Sequence, residues 1–191
     1  MKRRKLSILL IFLLVLMTTL SGCKTKEQYT ETIHERIHKN FSDIKSYITK
    51  CTITIHAQKD SVYDVKMSYN KDNDTYKMAY DDISIVINND DAKITKDGMS
   101  LKTRSSDAYM PMFLNTFFKY YYAGEESSIT VSSIKDFGTT TLEATLSEND
   151  DNASMQKMWI DNKTALPLKS EIYTSDGSLY MEIIFKSFEF K

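Results

Sequence analysis

The residues best suited to chemistry stand near the start of the chain. His34-Glu35-Arg36-Ile37-His38 fits the H-E-x-x-H pattern, in which two histidines one helical turn apart hold a zinc ion and the glutamate acts as general base. A helix is expected here, so the spacing is right. A catalytic zinc also needs a third protein ligand. Lys39-Asn40-Phe41-Ser42 follow where the longer H-E-x-x-H-x-x-G-x-x-H motif would supply one, and His56, the remaining histidine, falls on an expected strand. About ten residues lie between Cys23 and His34, too few to build the wall of a cleft. His34, Glu35 and His38 are therefore read as a chance match on the polar face of a helix, with no metal bound. Asp72, Asp74, Asp90 and Asp91 look like pieces of calcium loops but lack the Gly and distal Glu of an EF-hand. Like Glu148, Asp150 and Asp151, they read as solvated turns. No G-x-S-x-G, P-loop or G-x-G-x-x-G occurs. The expectation is a non-enzyme without a cofactor.

The two cysteines carry a different chemistry. A basic start (Lys2, Arg3, Arg4, Lys5) precedes an apolar run of 15 residues, Leu6 to Leu20. At about 1.5 Å per residue this is short for a bilayer core of about 30 Å, and it reads as a secretory signal. It ends in Leu20-Ser21-Gly22-Cys23, which resembles the lipobox of bacterial lipoproteins. That resemblance implies diacylglycerol on the Cys23 sulfur and cleavage before it. The expected organisation is a signal peptide over 1–22, a lipid-anchored tether over 23–28 and one domain over 29–191, working at the extracytoplasmic face of a membrane. Cys51 then has no partner in its own chain. It is either a candidate intermolecular thiol or a buried, inert strand residue. Without the first 22 residues, 21 bases face 26 acids, which is not the basic excess of a nucleic-acid binder.

The elements that would position these residues follow from periodicity. Tyr29, Ile33, Ile37 and Phe41 mark one face of a helix over Glu27 to Asn40. From Lys50 the period changes to two: Cys51, Ile53 and Ile55 against Thr52, Thr54 and His56, then Tyr63 to Tyr69, Tyr76 to Tyr80 and Ile83 to Ile87. Asp97-Gly98 signals a hairpin between Ala92–Thr95 and Met99–Lys102. Met110 to Tyr122 (MPMFLNTFFKYYY) reads as a second helix, strongly apolar, with Pro111 in its first turn and Gly124 closing it. Its Phe113, Leu114, Phe117, Phe118 and Tyr121 are either ordinary core or the lining of an apolar groove. Strands resume at 128–134, 139–146, 155–161, 168–174 and 179–190, the last pair joined at Asp176-Gly177. About ten strands and two helices make an α+β domain, mainly antiparallel. So long a sheet must twist, close or curl around something.

This plan is similar to the LolA/LppX-like lipoprotein-carrier family, whose fold is a curved, unclosed half-barrel with an N-terminal helix and a central apolar helix. Trp159-Ile160-Asp161-Asn162-Lys163-Thr164-Ala165-Leu166-Pro167-Leu168-Lys169 resembles that family's W-[IV]-D-x-x-T-x-[LY]-P-[LV]-[KR] hairpin, and the strand ending Phe185-Lys186-Ser187-Phe188-Glu189-Phe190 also fits. Within the family, size, lipobox and composition are most similar to the clostridial germination lipoproteins of the GerS type. That likeness implies a membrane-anchored regulator of a zinc-dependent N-acetylmuramoyl-L-alanine amidase (CwlD type) in sporulation, spore cortex modification and germination, at work in the forespore intermembrane space. A homodimer by strand exchange is a further expected state. The carrier branch of the family implies the alternative, an apolar groove that holds lipid or lipoprotein acyl chains.

Overall fold

The computed structural model describes residues 31–89, 91–104, 108–124, 138–146 and 153–191, and the backbone alone over 128–131. The expected signal peptide and tether, Cys23, Asp90, Glu148, Asp150 and Asp151 lie outside the described residues. Eleven strands form one antiparallel sheet: β1 (Ser46–Ile55), β2 (Ser61–Asn70), β3 (Thr75–Tyr80), β4 (Ile83–Asn88), β5 (Asp91–Lys96), β6 (Met99–Thr103), β7 (Ser128–Val131), β8 (Thr139–Thr145), β9 (Met155–Asp161), β10 (Pro167–Tyr173) and β11 (Leu179–Phe190). The order is β6-β5-β4-β3-β2-β1-β11-β10-β9-β8-β7. Two meanders thus meet where β1 pairs with β11, and β6 and β7 are the outermost strands among the described residues. The sheet is the expected unclosed half-barrel. Between β6 at one edge and β7 at the other the chain carries the apolar helix. Residues 32–191 form one compact unit whose core comes from its own residues.

The helix α1 (Ile33–Phe41) begins later than its periodicity suggests. Thr32 caps it: its hydroxyl accepts the Glu35 N–H at 3.3 Å while a Glu35 carboxylate oxygen accepts the Thr32 N–H at 2.7 Å. This reciprocal T-x-x-E box stops the helix at Thr32, and residues 27–30 lie outside the described residues. The Asp97-Gly98 hairpin is as expected, with φ of 49° and 78° at its two central residues. Such doubly left-handed turns match the twist of the strands they join. Asp176-Gly177 sits in a longer connection, 174–178, with Gly177 at φ 84°.

The second expected helix is not one piece. Met110–Met112 makes a 3-10 turn, Phe113 is extended (φ −92°, ψ 137°), and α2 runs from Leu114 to Ala123. Strand β11 is also irregular. Lys50 pairs with Ser187 and Cys51 with Phe185, which leaves Lys186 as an extra residue in a bulge. Phe185, Phe188 and Phe190 are spaced three and then two apart, so without the bulge they could not share a face. With it, all three point inward, and Phe188 stacks on Phe190 with centroids 5.8 Å apart.

Candidate functional site

The inner side of the sheet is the candidate site, and α2 fills its middle. Phe113, Leu114, Phe117 and Phe118 are at most 1% exposed, and Tyr121 is half-buried. Polar contacts from three separated strands fix the segment. The Tyr47 hydroxyl (β1) accepts the Leu114 N–H at 3.0 Å, satisfying a donor that the first turn of a helix leaves free. The Tyr76 hydroxyl (β3) accepts from Asn115 Nδ2 at 2.8 Å. Gln156 Nε2 (β9) donates to the Pro111 carbonyl at 3.1 Å and to Ser170 Oγ at 2.7 Å. Burial raises the pKa of both phenols, that of Tyr76 to about 12, so both remain neutral hydroxyls. Phe118 stacks on Phe41 of α1 with centroids 4.3 Å apart.

Helix α1 is itself held by the hairpin whose sequence carries the family resemblance. Asp161 Oδ1 accepts the N–H groups of Lys163 and Thr164 at 2.6 and 2.9 Å. Ala165 adopts a left-handed φ of 56°. The turn thereby offers its carbonyls outward: Arg36 donates to Asn162 O at 2.9 Å and to Lys163 O at 2.7 Å. The motif is thus a docking turn for the first helix.

A small apolar notch remains beside the 3-10 turn. It measures about 110 Å³ and is lined by Ile53, Tyr63, Val65, Met78, Tyr80 and Met112 among others. Ligand pockets run from about 300 Å³ upward, so the notch is well below the size for an acyl chain. Among the larger depressions, two have mixed linings of charged and apolar residues. One of about 360 Å³ lies on the outer side by Lys50, Asp64, Lys66 and Lys186. Another of about 420 Å³ lies beside α1 by Lys39, Asp43, Lys45 and Phe190.

The H-E-x-x-H residues are spread over capping and packing roles. Glu35 closes the capping box. His38 meets the Tyr122 ring edge-on at 5.4 Å, and His34 is exposed. His56 pairs with Asp60 at 3.2 Å on the β1–β2 connection. Among the described residues no group of three His, Cys, Asp or Glu side chains could hold a metal. Cys51 is fully buried, with its Sγ 3.7 Å from the Val65 carbonyl, and burial pushes its thiol up to about 12. Burial and a raised pKa both lower the reactivity of this thiol.

Sequence reasoning did not single out Tyr47, Tyr76 or Gln156 as the residues that seat α2. Gln156 had a signal: it shares the inward phase of Met158 and Ile160, and a polar residue at an inward position has to find a partner. Tyr47 precedes the strand boundary that periodicity marked.

An unclosed antiparallel sheet with an apolar helix across its inner side defines a LolA-like half-barrel protein. More particularly, the family model for YdcC-like sporulation proteins matches residues 3–191, and the chain belongs to that family. Among solved structures, a chain of the Clostridioides difficile CwlD amidase in complex with the GerS lipoprotein is similar, with a TM-score of 0.50 at 20% identity, over 83% of this chain and 94% of that one. A putative outer membrane lipoprotein-sorting protein domain from Vibrio parahaemolyticus gives 0.49 at 14% identity, over 83% and 91%. A LolA superfamily protein from Nitrosomonas europaea gives 0.44 at 12%, over 82% and 93%. At these identities the likeness is one of fold. No curated protein matches the chain.

Proposed function

We propose that this protein is a non-catalytic binding partner of a zinc-dependent cell-wall amidase in sporulation and spore germination, held by lipid on Cys23 at the extracytoplasmic face of a membrane in the sporulating cell. The observation that carries this reading is the occupied inner side. The chain's own α2 stands where a carrier would hold acyl chains. The family and the GerS likeness support the sporulation setting and the kind of partner.

Carrying an acyl chain would require α2 to leave. That exposes Phe113, Leu114, Phe117 and Phe118, each worth about 1.5–3 kcal/mol of burial, and it strands the Leu114 N–H. The total approaches the stability of a whole domain, about 5–15 kcal/mol. A lipid would have to restore nearly all of it. A protein partner needs no such opening. The outermost described strands, β6 and β7, are places for strand addition, by an amidase or by a second copy in a strand-exchanged homodimer. On β6, Met99 and Leu101 are 74% and 65% exposed and would be covered by such an addition.

The test is capture with the soluble 24–191 form from sporulating-cell extract, with lipid extraction of the same eluate. One cell-wall amidase per chain and no lipid is the expected result. Co-eluting lipid without a protein would instead make this a carrier.

A further inference from the structure

The outer face of β1–β6 carries a charge pattern that the binding-partner reading does not use. Strand register places Lys102 opposite Lys93, Lys93 opposite Val86, and Val86 opposite Lys77, in one row across four strands. In the neighbouring row Lys66 stands opposite Lys50. All five lysines are exposed, and none forms an ion pair among the described residues. Two of these contacts set like charges directly opposite each other, which destabilises a sheet. The outward acids of these strands are Asp64 and Asp91, and Asp64 is already held by Lys186 at 2.6 Å. Asp72, Asp74, Asp81, Asp82 and Asp97 stand in turns at the strand ends. A chain with an acid excess outside its first 22 residues therefore keeps an unneutralised basic strip on one sheet face.

We propose that this strip is a docking surface for the anionic lipid headgroups of the membrane that holds the protein. The proposal rests on the lipid anchor at Cys23. Nine residues separate the anchor from the compact unit, counting Cys23 through Glu31. At up to about 3.6 Å each they keep the domain within roughly 30 Å of the bilayer, so one face of it is continually presented to lipid. The row from Lys77 to Lys102 crosses three strand spacings, about 15 Å, which suits several headgroups at once. Half-buried Val86 lies within the row of lysines and can enter the headgroup layer. Docking would fix the domain's orientation and leave its other surfaces for the partner.

The experiment is sedimentation of the 24–191 form with vesicles of phosphatidylcholine alone or mixed with phosphatidylglycerol, at low and high salt. Binding to the anionic vesicles alone, lost at high salt, is expected. Lys77→Gln, Lys93→Gln and Lys102→Gln together should weaken it about a hundredfold, since each such lysine contributes roughly fivefold near an anionic surface. Lys59→Gln, Lys119→Gln and Lys163→Gln, the same charge change elsewhere, should leave it in place. Equal loss with both triple variants, or no preference for anionic vesicles, overturns the proposal. So does loss of amidase capture in the first triple while vesicle binding persists, because the strip would then belong to a protein partner. The mass of the membrane-fraction protein reports lipidation of Cys23 separately. An unmodified Cys23 with intact vesicle binding would sink the anchor and leave the basic face standing.

Discussion

The two halves of the sheet treat their outer charges in opposite ways. On β8–β11 the lysines sit between acids. Lys169 bridges Glu171 and Glu182, both at 2.6 Å, and lies over the Trp159 ring at 5.4 Å. Lys157 pairs with Glu143 at 3.1 Å, and the Tyr173 hydroxyl donates to Glu171. On β1–β6 lysine faces lysine. The inner side shows a similar contrast. The centre, under α2, is buried and hydrogen-bonded, while the far edge leaves Met99 and Leu101 in solvent. The outer lysines of the C-terminal half are paired with acids, whereas those of the N-terminal half face one another.

The largest effect that would break this contrast is on α2. Phe118→Ala should cost about 3–5 kcal/mol in chemical denaturation. A cost below 1 kcal/mol would mean that α2 is not a fixed part of the core. Next comes Lys169→Met, which leaves Glu171 and Glu182 directly opposed and should cost about 1 kcal/mol at neutral pH. Burial of Glu171 would raise its carboxyl, but the hydrogen bonds from Lys169 and Tyr173 outweigh it and hold the group below the usual value. A carboxyl with a depressed folded pKa stabilises above its unfolded value, about 4.3. The Lys169→Met penalty should therefore be full at neutral pH and shrink as pH falls through the folded pKa. Urea melts at neutral and acid pH measure this. On the other half the sign should reverse: Lys66→Gln removes a like-charge pair and should stabilise by about 0.3 kcal/mol, read as a small rise in the denaturation midpoint. Leu101→Ser should be smaller still in stability, within about 0.5 kcal/mol, while weakening capture of a partner that adds at β6.

Much of the fold was legible because a half-buried sheet writes a period of two. The inward phase of β1 to β4 and the limits of β9 and β11 could be read almost residue by residue, and Asp97-Gly98 fixed one register. What could not be read were the features that depend on contacts distant in sequence. Pro111 suits a first helical turn, so MPMFLNTFFKYYY scans as one helix. Instead Gln156 takes the Pro111 carbonyl and Tyr47 takes the Leu114 N–H, and the chain is extended at Phe113 between them. The Lys186 bulge is likewise invisible until β1 fixes the register of β11. The H-E-x-x-H pattern illustrates the reverse: a chemical motif whose glutamate is explained by a local cap. The lysine strip was hidden because its members are adjacent only across strands.

The most direct test of the central claim is sedimentation velocity of the 24–191 form mixed with the cell-wall amidase made by the same sporulating cells. The account predicts one faster species containing equal numbers of the two proteins, formed from lipid-free material. Separate boundaries at every concentration, with acyl lipid recovered from the purified chain, would contradict it.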